Sequence, residues 1–79
     1  MQDRYEETLA AGTDEEAWLR QIIDKAHGYG CVAVSVNGTM WPRSRGRTIA
    51  IHVGGDEDAL ALFMLGSPPS LKHVRRFRS

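Results

Sequence analysis

The stretch from Thr13 to Val36 constrains this chain most, because it reads as one capped amphipathic helix feeding directly into one strand. Thr13-Asp14-Glu15-Glu16 has the Thr-x-x-Glu spacing of a capping box, in which the Thr13 hydroxyl accepts from the Glu16 N–H and the Glu16 carboxylate accepts from the Thr13 N–H. Trp18, Leu19, Ile22, Ile23 and Ala26 then recur at three- and four-residue spacings, an apolar stripe one helix face wide. Acids in the first turn, and Lys25 with His27 in the last, suit the helix dipole at each end. Glu16 and Arg20 are four apart, in the order that favours an ion pair. Gly28 and Gly30 stop the helix and reverse the chain. From Cys31 to Val36 the pattern has period two, with Val32, Val34 and Val36 on one sheet face.

The remaining segments are read against this unit. Residues 1–12, with Tyr5 and Leu9 four apart and Gly12 after them, read as a short helix, a frayed arm or an edge strand. Asn37-Gly38 is the turn pair of a type I′ hairpin, which would return Thr39, Met40 and Trp41 beside Ser35 and Val36. Pro42 ends that ladder, and residues 42–47 become an exposed basic loop. Thr48 to Val53 alternates again, with Ile49, Ile51 and Val53 inward and Thr48, Ala50 and His52 outward. Asp56 can cap a helix over 59–65 ended by Gly66. A buried strand is the alternative, and the Ala and Leu content favours helix. After the rigid Ser67-Pro68-Pro69-Ser70 turn, Leu71, Val74 and Phe77 repeat every three residues, as in a short helix capped by Ser70; a terminal strand or a basic tail are the alternatives.

Residues 1–79 are expected to form a single domain. The fold class is α+β: a small antiparallel sheet of two to four strands packed on one main amphipathic helix, with short terminal helices as an option. A chain this short buries a modest core, so a homodimer is expected to help stabilise it. Cys31 is the single cysteine, which excludes an intrachain disulfide. There is no run of about 18 apolar residues and no signal-peptide pattern, so the expectation is a soluble, cytoplasmic protein.

Net charge is zero, but the charges are segregated. Residues 1–26 carry seven acids against three bases; Arg43, Arg45 and Arg47 follow with no acid among residues 27–53. Asp56, Glu57 and Asp58 form an acidic run, and Lys72, Arg75, Arg76 and Arg78 a basic one.

Few positions suggest chemistry. Cys31 as a nucleophile, with His27, His52 or His73 as base, has no local signature, and a buried apolar thiol is the simpler reading. The histidines lack metal-ligand spacing, and consecutive acids at a helix start diverge rather than form an oxygen cage. Gly28-Tyr29-Gly30 lacks the rest of a dinucleotide fingerprint. No catalytic, metal or cofactor residue is assigned. The basic segments, with Trp41 beside Arg43, Arg45 and Arg47, and Phe77 among Lys72, Arg75, Arg76 and Arg78, pair cations with aromatic rings. That combination suits phosphates and bases, or an acidic protein surface.

Taken whole, the chain resembles the type I anti-CRISPR proteins, small phage-encoded inhibitors of a CRISPR surveillance complex. The features that carry this are the acidic Thr13-Asp14-Glu15-Glu16 helix start and the Asp56-Glu57-Asp58 run, set against the Arg-rich segments. The resemblance implies a non-enzymatic protein-binding inhibitor in the bacterial host cytoplasm. It would block DNA binding by a multisubunit protein or ribonucleoprotein complex, with acids standing in for phosphates. The arginine clusters depart from a pure DNA mimic and favour contact through Arg43–Arg47 or the C-terminal segment. The alternative is a nucleic-acid-binding accessory module in which those two basic segments make one patch.

Overall fold

A computed structural model of the chain describes residues 1–40 and 46–78. The elements run β1 (Gln2–Ala10), α1 (Glu15–Gly28), β2 (Val32–Met40), β3 (Gly46–Gly54), α2 (Glu57–Gly66) and β4 (Lys72–Phe77). The strands form one antiparallel sheet in the order β2-β3-β1-β4. Each helix therefore crosses over a strand from the other half, the split βαβ arrangement of the ferredoxin-like topology. Both helices lie on one face, where Ile22, Ala26, Leu60 and Phe63 share a core with Tyr5, Leu9, Ala33, Ile49, Ile51 and Val53.

The first segment is neither a helix nor an arm. It is a central strand, paired with β3 from Gln2↔Gly54 to Ala10↔Gly46 and with β4 on its other side. Its alternation is real, because Asp3, Tyr5, Glu7 and Leu9 are all buried. Two of those four inward positions are acidic, which hides the pattern from a hydrophobicity reading. Asp3 is fully buried and is neutralised by Arg76, whose Nε and Nη2 donate to its two oxygens at 2.7 and 3.1 Å; His73 Nε2 lies 3.5 Å away. Glu7 accepts from the Ser70 hydroxyl.

Those acids also explain why residues 72–77 form a strand rather than a helix. Extended pairing covers the free edge of β1 and brings Arg76 and His73 to the side of Asp3. The register shifts between Arg4 and Tyr5, a bulge that leaves Val74 half-exposed while Leu71 stays buried.

Helix α1 forms where its stripe predicts, but its cap is displaced. Thr13 N–H closes the turn after β1 by donating to Ala10 O, with Gly12 at φ +85°. Asp14 then becomes the N-cap and accepts from Ala17 N–H at 3.1 Å, in place of the expected Thr13–Glu16 box. The Glu16–Arg20 pair does form, at 3.7 Å and in full solvent, where it contributes only tenths of a kcal/mol. Helix α2 is capped by Asp56, which accepts from Ala59 N–H at 2.8 Å, and it is a helix, not a strand. Its end is locked to α1: Lys25 Nζ donates to Gly66 O, and the Tyr29 ring leaves no room for a Cβ at Gly66.

Strand β2 departs from the sequence reading at its expected turn. Asn37-Gly38 does not turn the chain but lies inside the ladder, paired Asn37↔Ala50 and Gly38↔Ile49 beyond a bulge at Ser35/Asn37. Long pairing with the Ile-rich β3 outweighs the local turn preference. Val32 and Val34 share one sheet face, as their alternation predicts, and it is the face turned away from the helices. Cys31 and Ala33 point under the helices, whereas Val32 and Val34 are 60% and 57% exposed on the opposite face. With α1 packed close on this strand and Ala26 fully buried in the same core, the inward positions take small side chains.

Ile22→Ala should lower stability by about 2–4 kcal/mol in urea melts through lost burial plus a cavity. Asp14→Ala should cost about 1 kcal/mol and Thr13→Ala much less, which places the cap. In thermal melts, Arg76→Met alone should be strongly destabilising because it removes the bidentate partner of the buried Asp3 carboxylate and leaves it only the more distant His73. Adding Asp3→Leu should recover much of the loss, and additive effects would show that the pair is not coupled.

Candidate binding face

Among the described residues, helices cover one face of the sheet. The other is built from the even positions of β1 (Arg4, Glu6, Thr8), with Thr48, Ala50 and His52 of β3, Val32 and Val34 of β2, and Lys72, Arg75 and Phe77 of β4. Its side chains form connected pairs. Arg4 Nε donates to Glu6 at 3.2 Å, and Arg4 Nη1 lies 3.3 Å from His52 Nε2. A guanidinium only donates, so this contact requires an unprotonated Nε2 on His52. The His52 ring lies 5.5 Å from the Phe77 ring at a 58° tilt, and the Arg75 guanidinium sits 4.2 Å over the other member of that pair, Phe77. The Thr8 and Thr48 hydroxyls are 3.1 Å apart.

The result is a row of cation, ring, ring and cation running Arg75–Phe77–His52–Arg4 across three strands. Among the described strand residues on this face, Arg4, Lys72 and Arg75 outnumber the single acid Glu6. The helices have the opposite sign, since Asp14, Glu15, Glu16, Asp24, Asp56, Glu57 and Asp58 outnumber Arg20 and Lys25 of the helices and the Arg47 of β3 that reaches Glu15. Folding therefore sorts a neutral sequence into a basic, partly aromatic face and an acidic one.

The residues singled out from the sequence are divided by this arrangement. Trp41, Arg43 and Arg45 lie outside the described residues. Arg47 belongs to β3 rather than to a loop, and its Nη1 donates to Glu15 at 2.6 Å on the helix side. Arg76 also points to the helix side and is held by Asp3, a contact that raises its already high pKa. Lys72 and Arg75 lie on the open face, and Arg78 is exposed just past β4. Arg47 pairs at the Ala10 end of β1 and Phe77 at the Gln2 end, so Arg47 lies apart from the C-terminal basic segment. The acidic runs are separated in the same way. Glu15 is tied to Arg47 at one end of the sheet, while Asp56–Asp58 follow Gly54 at the other. Sequence reading placed His52 outward and Val32 with Val34 on one face, but it did not join them with Arg4 into a binding surface, because only strand pairing brings them together.

Buried groups offer no competing chemistry. Cys31 is buried, and burial, followed by the charges of Asp56 and Asp3, pushes its thiol pKa up, away from a reactive thiolate. Tyr5 packs edge-on against Phe63 at 5.2 Å, and its hydroxyl has no hydrogen-bond partner among the described residues. Burial, and then the charge of Asp3, raise its pKa to about 12. Among the described residues, no three His, Cys, Asp or Glu side chains are grouped to hold a metal ion. No helix there is long and apolar enough to cross a membrane. No protein-family model matches this chain, and comparison with curated proteins finds no match either.

The Tyr5 shift has a testable sign. Above pH 10 the unfolded chain loses the phenolic proton while the folded chain keeps it to about pH 12, so stability is full below pH 10 and falls across that window. Denaturant titrations from pH 9 to 12 should show this fall, and Tyr5→Phe should remove its share of it.

Proposed function

We propose that this chain is a non-enzymatic binding protein that holds single-stranded nucleic acid on its open sheet face. The Arg75–Phe77–His52–Arg4 row is the observation that supports the reading most. Ring and guanidinium planes stack on bases whatever their sequence, while Arg4, Arg75 and Lys72 are spread across the strands to meet phosphates. The acidic helix layer repels phosphates from the opposite side, so binding is one-sided even though the chain carries no net charge. Half-exposed Val32 and Val34 extend the platform toward the β2 edge with apolar surface for sugar and base edges.

The second reading is the inhibitor of a bacterial surveillance complex, of the anti-CRISPR kind. It is favoured by the acidic helix layer, which can meet the basic channel of a multisubunit ribonucleoprotein. The two acidic helix starts lie eight strand steps apart, about 27 Å at the rise of an extended chain, so together they could follow a phosphate track but not form a single knot of charge.

Fluorescence polarisation with labelled single-stranded DNA and RNA tests the first reading. Binding should weaken with log salt at a slope near −2, as about three phosphate contacts would give. Phe77→Ala should weaken it by about 1–3 kcal/mol, and Arg75→Glu with Lys72→Glu should abolish it with little change in melting temperature. Absence of oligonucleotide binding at low salt would remove this reading. Lowered target affinity of a purified surveillance complex, reversed by Glu15→Lys or Glu57→Lys, would then establish the second.

A further inference from the structure

The helix layer carries a surface that the nucleic-acid reading does not use. In α2 the core side is Ala59, Leu60 and Phe63, all buried. The outward side runs Asp58, Ala61, Leu62, Leu65, at the i, i+3, i+4, i+7 spacing of one helix face. Leu65 is 84% exposed, Leu62 51% and neighbouring Met64 39%. From Ala59 to Gly66 there is no charged residue, whereas the outward side of α1 carries Glu16, Arg20, Asp24 and His27. Helices facing water ordinarily look like α1, and an apolar stripe of this kind marks a contact surface.

We propose that this face of α2 pairs with the same face of a second copy of the chain, antiparallel about a twofold axis. Charge decides both the occupant and the direction. A parallel pair would bring two Asp56-Glu57-Asp58 starts together, which like charges oppose. An antiparallel pair sets each acidic start against the carboxyl end of the partner helix, where the Lys25 ammonium is held at the Gly66 carbonyl. Ala61, small and central in the stripe, lets the two helices approach closely at the axis, with each Leu62 packing over the other copy's Ala61 and each Leu65 over the other copy's Asp58 methylene. The contact is self-complementary, so it closes as a dimer and does not propagate. The two open sheet faces then point away from each other, giving a bivalent particle whose two faces can engage one strand or two. The dimer does not rest on the nucleic-acid reading, because it uses the opposite side of the molecule.

Sedimentation velocity over a concentration series, without nucleic acid, tests it. The wild-type chain should move from the 8.8 kDa monomer toward twice that mass as concentration rises. Leu65→Glu, at a side chain the monomer leaves in water, should stay at the chain mass with an unchanged far-UV circular dichroism spectrum. Ala61→Cys, placed at the axis, should form an intermolecular disulfide on mild oxidation; the native Cys31 is buried and does not compete. A wild-type chain that stays monomeric up to about 1 mM, where even a small interface would associate, overturns the proposal. So does a dimer that Leu65→Glu leaves intact, and an Ala61→Cys dimer that does not cross-link overturns the antiparallel arrangement.

Discussion

The buried carboxylate of Asp3 is the constraint around which this fold is arranged. It sits on a central strand, fully out of water, opposite Val53. An unpaired charge in such a place would be costly, and the partner comes from the far end of the chain as the bidentate guanidinium of Arg76. The bond orients β4: Arg76 and His73 must face the helices, so Arg75 and Phe77 must face away. The bulge that leaves Val74 half-exposed is what allows His73 to stay on the Asp3 side. A demand from the core thus sets the composition of the open face.

The two faces of the molecule are consequently unlike in chemistry. On the helix side, all the helix-layer acids but Asp24 occupy helix starts, where the dipole favours them and where Asp14 and Asp56 cap free N–H groups. On the open side, alternation along β1 and β4 gathers cations with two rings. These placements each have a local physical cause, and together they divide a sequence with equal numbers of acids and bases into regions of opposite sign. Net charge is a poor guide to what such a surface can bind, since a ligand meets one side at a time.

The contrast between α1 and α2 has the same character. Both contribute to one core through Ile22, Ala26, Leu60 and Phe63. They are joined at Gly66, where Lys25 reaches a carbonyl and the Tyr29 ring fills the space a larger residue would need. Beyond that junction the outward side of α1 is charged and that of α2 is not, a difference in composition that the monomer's own packing does not require.

Local pattern alone determined α1 and the inward face of β3, through Trp18 to Ala26 at helical spacing and Ile49, Ile51 and Val53 in alternation, and it favoured α2 over a strand only through the Ala/Leu content of an Asp-capped run. It also led to an α+β domain, to Cys31 as a buried thiol and to Lys72 and Arg75 as surface cations. Only tertiary structure decided the rest. β1 reads as a strand once Asp3 and Glu7 have partners 73 and 63 residues away, and no local window contains Arg76 or Ser70. The Asn37-Gly38 turn yields to a ladder with Ala50 and Ile49, and Val32 and Val34 turn outward because packing beneath α1 admits Ala33 and Cys31. The open face exists because four strands from both ends of the chain align in one register. A single strand's sequence states which residues share a side, but pairing and helix placement decide which side meets water.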